Sequence, residues 1–379
     1  MREVLPELRR RLSNGESVAV ATVVDTWQSA PRQPGATMLV AEDGTITGSV
    51  SGGCVEGALY DLCREVLVHG TPVLQRYGVS DDDALAVGLT CGGILDVFVE
   101  RLSPATYPES DDLFTDIDGE RPVSTATIVE HDDSSLVGRR LMLRPTNSES
   151  CCHVGTLSSD RIDSAVVDDA LGLLASGRSG TLTYGPDGQR RGDGMRVFVQ
   201  SFAPKPRLLV FGAIDFAAAV ARMGSFLGYR VTLCDARAVF ATTVRFPEAD
   251  EVVVDWPHRY LASQAEAGAI DQRTAIAVLT HDPKFDVPLL SVALRLPAVG
   301  YIGVMGSRRT HEDRLARLRD EGLTHDELER MSSPIGLDLG ARTPEETAVS
   351  IAAEMISLRW GGDGGRLSKR SGPIHHEQP

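Results

Sequence analysis

Cysteine is scarce in this chain, with six in 379 residues, and no uninterrupted apolar run approaches the roughly 20 residues that span a bilayer. Basic residues are also in deficit. Against 53 Asp and Glu stand 38 Lys and Arg, a formal charge of -15. That balance repels nucleic-acid phosphates and anionic membrane surfaces, so the expected partners include no nucleic acid and no membrane insertion. An anionic ligand must then be held in a built pocket, by backbone N–H groups and a few arginines. Cysteines this sparse do not make a disulfide framework and are expected to stay thiols in a cytoplasmic protein. Residues 1–14 carry Val4, Leu5, Leu8 and Leu12 at helical spacing, without the apolar core of a signal peptide.

What is present is an ordinary globular composition, 42% hydrophobic and 24% charged, in a chain longer than one core usually serves. Two or three α/β domains are expected. From Arg207 onward, apolar runs alternate with helical stretches: strands at 207–211, 230–234, 251–254, 275–280 and 299–304, and an apolar helix at 215–227. This predicts a Rossmann-like parallel sheet over 207–360, covered on both faces. Pro204-Lys205-Pro206 reads as the linker before it, and residues 361–379 read as a flexible tail with too little apolar content to fold.

The N-terminal region, 1–203, repeats itself. Ala21-Thr22-Val23-Val24 returns as Ala126-Thr127-Ile128-Val129, Gly48 and Tyr77-Gly78 return at the same internal spacing as Gly155 and Tyr184-Gly185, and Val97-Phe98-Val99 returns as Val197-Phe198-Val199. A duplicated unit is expected, with copies at 17–102 and 123–202. The acidic stretch 111–121 reads as the loop joining them.

A repeat separates fold from chemistry, since the second copy keeps what the fold needs. Ser51-Gly52-Gly53-Cys54 aligns with Ser158-Ser159-Asp160-Arg161, and Cys91-Gly92-Gly93 aligns with Arg191-Gly192-Asp193. Both distinctive cysteines belong to the first copy alone. Paired glycines let a backbone approach a ligand and aim N–H groups at its oxygens. A cysteine at a helix start tends toward thiolate, which ligates soft metals or accepts sulfur. Cys54 and Cys91 are therefore candidate metal ligands, with Ser51, Gly52, Gly53, Gly92 and Gly93 around them. Arg32, in the proline-stiffened stretch 25–35, is a candidate grip on a phosphate or carboxylate. Cys63 falls mid-helix and reads as core. Cys151-Cys152-His153 lacks the thiol spacing of a zinc site.

In the C-terminal region the turn after the first strand reads Gly212-Ala213-Ile214-Asp215, where a dinucleotide fold requires a second glycine at the position of Ile214. Asp235 stands where a ribose-binding acid belongs. Two later loops face the same crevice, one with His281, Asp282 and Lys284, the other with Gly306, Ser307 and Arg308. The crevice is thus expected to be nucleotide-like, with NAD(P) binding doubtful because of Ile214.

Taken together, these residues resemble the XdhC/CoxI family across almost the whole chain. The resemblance is carried by Ala30-Pro31-Arg32, by residues 48–57, by Cys91-Gly92-Gly93, and by Leu279-Thr280-His281-Asp282-Pro283-Lys284. Gly306-Ser307-Arg308-Arg309-Thr310 and residues 334–346 extend it. It implies a cytoplasmic, often dimeric accessory factor, a chaperone and not itself a redox enzyme. Such a factor binds molybdenum cofactor (molybdopterin) and supports its sulfuration and insertion into xanthine, aldehyde or carbon monoxide dehydrogenases. The implied partners are a molybdenum hydroxylase apoenzyme, a cysteine desulfurase-type sulfur donor and a second copy of the chain. Family members usually read Gly-Ala-Gly-His where this chain has Gly212-Ala213-Ile214-Asp215. The alternatives are an NAD(P)-binding oxidoreductase, distinguished by titration with reduced nucleotides, and a docking scaffold that carries no cofactor.

Overall fold

A computed structural model describes residues 1–27, 32–78, 93–145 and 152–371. They form two compact units, Met1–Pro204 and Lys205–Ser371.

The first unit begins with α1 (Leu5–Ser13), followed by β1 (Val18–Trp27), β2 (Thr37–Ala41), β3 (Ile46–Gly48), α2 (Glu56–His69), β4 (Val73–Tyr77) and β5 (Ile94–Leu102). After α3 (Ser110–Asp118) come β6 (Val123–His131), β7 (Arg140–Arg144), β8 (Cys152–Gly155), α4 (Asp160–Ser176), β9 (Gly180–Tyr184) and β10 (Met195–Phe202). The strands make two antiparallel sheets of the same order, β3-β2-β1-β5-β4 and β8-β7-β6-β10-β9. Residues aligned in the sequence repeat occupy matching places. Gly48 and Gly155 both end a third strand in left-handed backbone, φ 83° and 88°, and a Cβ there would lie 2.3 Å from the Thr37 carbonyl oxygen or 2.4 Å from that of Arg140. Only glycine permits that approach. The long strands β1 and β6 each slip register at the aligned residues Val24 and Val129, which bulge out of the ladder with β5 and β10.

One face of each sheet is covered by its helix, with Leu59, Cys63 and Val66 of α2 in one core and Val166, Ala170 and Leu174 of α4 in the other. The remaining faces meet through Val24, Phe98, Val129 and Phe198. Beside this contact is a small cavity of about 30 Å³ with a mainly apolar lining, Leu8, Phe98, Leu113 and Phe198 among it, into which Glu100, Arg140 and Gln200 also reach. The acidic stretch 111–121, expected as a loop, instead contains α3. Its Leu113, Phe114 and Ile117 bury against Leu8 and Leu12 of α1, while buried Asp116 takes hydrogen bonds from Arg121 and Arg144.

The second unit runs β11 (Arg207–Phe211), α5 (Asp215–Phe226), β12 (Arg230–Asp235), β13 (Glu251–Val254), α6 (Pro257–Glu266), β14 (Ala275–Val278) and α7 (Pro283–Ala293). It continues with β15 (Tyr301–Val304), α8 (Arg308–Asp320), α9 (His325–Glu329), β16 (Met331–Ser332) and α10 (Pro344–Trp360). Its sheet is parallel throughout, in the order β13-β12-β11-β14-β15-β16. Strands β14 and β15 are buried along their whole length, as strands covered on both faces must be. The order reverses between β11 and β14, which puts a crevice at the carboxyl ends of these strands. The tail from Gly361 is described as far as Ser371, with one short 3₁₀ turn at Leu367–Lys369. No helix among the described residues is long and apolar enough to cross a membrane.

Candidate functional site

Strand register brings the described ends of β1, β4 and β5 together at one end of the first sheet. Trp27, where β1 ends, lies opposite Ile94, where β5 begins, and Tyr77, where β4 ends, lies opposite Leu95. The turn 49–55 opens α2 at the same end, because the last turn of α2 lies at the other, where Arg101 donates to the Leu67 carbonyl at 3.3 Å. Cys54 sits on that turn, partly buried against the core that contains Tyr77 and Leu95. Cys91 and Gly92 lie outside the described residues. Gly93, just before β5, is buried.

The turn itself is built around a carboxylate that the sequence did not single out. Oε1 of Glu56 accepts from Ser49 Oγ at 2.6 Å and from the N–H groups of Val50, Ser51 and Gly52 at 3.2, 2.9 and 3.1 Å. Its Oε2 accepts from Ser51 Oγ at 2.5 Å and from the N–H groups of Gly53 and Val55 at 2.8 and 3.2 Å. Burial alone would raise this carboxyl, but the donors outweigh it and bring it down to about 2. The N–H groups of Ser51, Gly52 and Gly53, expected to face a ligand's oxygens, are thus aimed at Glu56. Arg32 is engaged as well, by Glu3 at 3.1 Å.

Nearby, Asp25 and Asp96 face each other across β1 and β5, a like-charge pairing that needs compensation. Arg76 supplies it with two hydrogen bonds to Asp96, 2.7 and 2.9 Å, while its guanidinium rests 4.7 Å from the Trp27 ring centroid. Arg196, from β10 of the other sheet, reaches Asp96 at 2.9 Å and Asp25 at 3.4 Å. Burial nonetheless holds the Asp25 carboxyl above its ordinary range.

The other described cysteines are buried in a core, Cys63 and Cys234, or exposed, Cys152. Burial pushes the thiols of Cys63 and Cys234 up to about 12, which removes them as thiolates. Cys152 and His153 are exposed on β8, and Cys151 lies outside the described residues. Among the described residues no group of three His, Cys, Asp or Glu side chains is arranged to hold a metal ion.

In the second unit, Asp215, Asp235, Asp282, Lys284 and Ser307 of the crevice are engaged by other groups of the chain. Gly212 has φ 111°, and a Cβ there would meet the Thr280 backbone nitrogen at 3.0 Å. Asp235 accepts from the Ala213 N–H at 2.7 Å, from the Arg237 N–H at 2.9 Å, and from the Arg237 guanidinium at 2.9 and 2.8 Å. Burial works to raise its carboxyl; these donors lower it. Arg237 follows Asp235 by two residues and was not foreseen as its cap. Asp215, at the first position of α5, puts a carboxylate where a pyrophosphate would lie and pairs with Arg245 at 3.4 Å. In the second loop Asp282 caps α7 through the Lys284 N–H and pairs with the Lys284 ammonium at 3.2 Å. Ser307 caps α8 through the Thr310 N–H at 3.1 Å, following Gly306 at φ 154°. His281 and Arg308 are exposed. Beneath both loops Arg314 joins buried Asp286 at 3.1 Å to the Met305 carbonyl at 2.9 Å.

A dinucleotide therefore meets Ile214 and Asp215 at the turn and a capped acid at Asp235. Reduced nucleotide titrated by fluorescence should show no saturation below about 0.1 mM, an affinity of only ~5 kcal/mol. Ile214→Gly alone leaves the Arg237 cap in place, so Ile214→Gly combined with Arg237→Ala should bind at least about tenfold tighter than Ile214→Gly. Nanomolar binding by the unmodified chain would contradict this.

Comparison with known proteins covers both units. A family model described as "XdhC and CoxI family" matches residues 11–78 and 117–185, and one described as "XdhC Rossmann domain" matches residues 208–355. A Bacillus subtilis (strain 168) protein, named as a probable subunit of xanthine dehydrogenase, is 27% identical over 363 residues, which span 92% of this chain and 95% of that protein. An Escherichia coli (strain K12) protein named "Molybdenum cofactor insertion chaperone PaoD" is 26% identical over 348 residues, spanning 92% of this chain and 85% of its own. Among solved structures, a Bacillus halodurans protein described as a xanthine dehydrogenase shares the fold, with a TM-score of 0.64 at 24% identity over 97% of each chain.

Proposed function

This chain belongs to the XdhC and CoxI family, and on that premise we propose that it is an accessory factor that binds molybdenum cofactor. In this reading it assists sulfuration of the cofactor and its insertion into a molybdenum hydroxylase of the xanthine dehydrogenase, aldehyde oxidase or carbon monoxide dehydrogenase type. The observation that carries the reading is the placement of Cys54. Its turn opens α2 at the sheet end where β4 ends and β5 begins, and Arg161 takes its place in the second copy.

The donor set fits one part of the cofactor better than the other. A thiolate suits molybdenum or sulfur as a soft partner. The glycine N–H groups, already donating to Glu56, do not fit its phosphate. When bound, the cofactor supplies the oxygen- and sulfur-transfer chemistry of the recipient enzyme, whereas this chain holds and releases it. The same reading includes a cysteine desulfurase-type sulfur donor, a homodimeric state and a cytoplasmic location. Likeness to a relative named as an insertion chaperone, over 92% of this chain, supports it.

The test is reconstitution. Cofactor-loaded chain added to a molybdenum hydroxylase apoenzyme should restore activity at least about tenfold faster than free cofactor, since a carrier replaces a random encounter by a docked one. Equal rates with and without the chain would sink the insertion role.

A further inference from the structure

The turn 49–55 has the geometry of an anion cradle, and a side chain of the protein already fills it. Every backbone N–H from Val50 to Val55 has an acceptor: that of Cys54 reaches Ser51 Oγ at 3.0 Å, that of Val55 reaches both Ser51 Oγ at 3.1 Å and Glu56, and the others reach Glu56. Gly52 and Gly53 are exposed, with φ of 79° and 121°, and nothing lies within 4 Å of where their Cβ atoms would be. Water could satisfy such N–H groups, so an internal carboxylate gathering those of Val50, Ser51, Gly52, Gly53 and Val55 fixes a conformation that solvation alone would leave open.

The second copy shows what the fold alone requires. Asp163 aligns with Glu56 and accepts one N–H, that of Leu157 at 2.9 Å, while Ser159 caps the helix through Ile162. Leu157 aligns with Val50, so the anchor under the buried residue is common to both copies. The extra methylene of Glu56 and its further donors occur only where the turn carries a cysteine.

We propose that Glu56 is the positioning residue of this site: its carboxylate occupies the anion cradle of the turn and so fixes the backbone from which Cys54 projects. A ligand's phosphate must then be held elsewhere. This inference rests on the reading of Cys54 as a cofactor contact, but its test does not use the cofactor.

In the full chain, hydrogen exchange of residues 49–55 should be slowed at least about tenfold relative to unbonded exposed amides, and 10 mM inorganic phosphate should leave that rate unchanged. In Glu56→Ala, alkylation of Cys54 by iodoacetamide at one fixed pH, followed by peptide mass spectrometry, should quicken at least about fivefold as the turn opens. Acetate at about 100 mM should reverse at least half of that change by filling the vacated place. Asp163→Asn should leave Cys54 within about twofold of the unmodified chain, its site being separate. Rapid exchange in the unmodified chain, exchange altered by phosphate, or unchanged alkylation in a folded Glu56→Ala would each overturn the proposal. Should Glu56→Ala fail to fold, exchange in the unmodified chain decides. A chain that never holds molybdenum yet passes these tests would remove the chaperone reading and leave the role of Glu56 standing.

Discussion

Arg140→Met is expected to destabilise the N-terminal unit by about 3–5 kcal/mol, as removal of one partner from a buried ion pair generally does. Arg140 and Glu100 are only 11% and 14% exposed and are hydrogen-bonded to each other between the two sheets. The guanidinium also donates to Thr127 Oγ1 at 3.1 Å and stacks 4.2 Å from the Tyr107 ring centroid. Without it, Glu100 loses the ion-pair and hydrogen-bond partner that the structure gives it. Burial already raises the Glu100 carboxyl against the pull of Arg140, so in the variant it rises further. A carboxyl whose folded pKa is raised holds its proton more tightly folded than unfolded. The folded protein is therefore favoured below the unfolded pKa and loses that advantage as pH climbs through the folded one. Urea denaturation of Arg140→Met should accordingly show a smaller deficit at pH 5 than at pH 8. Adding Glu100→Gln should recover most of the loss, because Gln200 holds the aligned place in the second sheet without a charge. A deficit independent of pH, or no recovery in the double variant, would show that the ion pair is not what Arg140 contributes.

Cys91→Ser should lower the molybdenum bound per chain about tenfold, and Cys54→Ser somewhat less, a loss typical of weakened metal contacts. Cys63→Ala should retain it. The contrast rests on place: Cys54 belongs to the turn that opens α2, whereas Cys63 is wholly buried in the core beneath that helix. Serine keeps size and polarity but not the soft sulfur that molybdenum or a transferred sulfur atom prefers. Plasma mass spectrometry of the three variants, each checked for its melting temperature, separates ligation from folding. Equal metal in all three would mean that no thiol touches the cofactor.

Much of this architecture was legible in the chain. The parallel strands of the second unit announce themselves as short apolar runs, because strands covered on both faces have no polar side to show. The aligned Gly48 and Gly155 were readable since each must let a carbonyl oxygen pass where a Cβ would stand. Helix α3 was hidden because Asp111, Asp112, Asp116 and Asp118 dilute the Leu113-Phe114-Ile117 face, and its burial depends on α1, far away in sequence. Contacts made across sheets, such as Arg196 on Asp96, depend on register that no local pattern encodes. The role of Glu56 did leave a trace: Asp163 keeps an acid at the aligned position. That trace says a carboxylate is needed there, though not that it faces inward to the turn and competes with a ligand for the glycine N–H groups. The Arg237 cap on Asp235 was similarly close at hand, two residues along, but only the turn of the chain after β12 brings the guanidinium back onto the acid.

Molybdenum and pterin content of the full chain, purified from a host that makes the cofactor, tests the central claim most directly. The account predicts that the two co-elute with the protein in a constant ratio to each other, approaching one cofactor per chain at saturation. It also predicts that both fall together in Cys54→Ser and Cys91→Ser. A chain that elutes free of metal and pterin, and takes up neither when cofactor is added in excess, would contradict it.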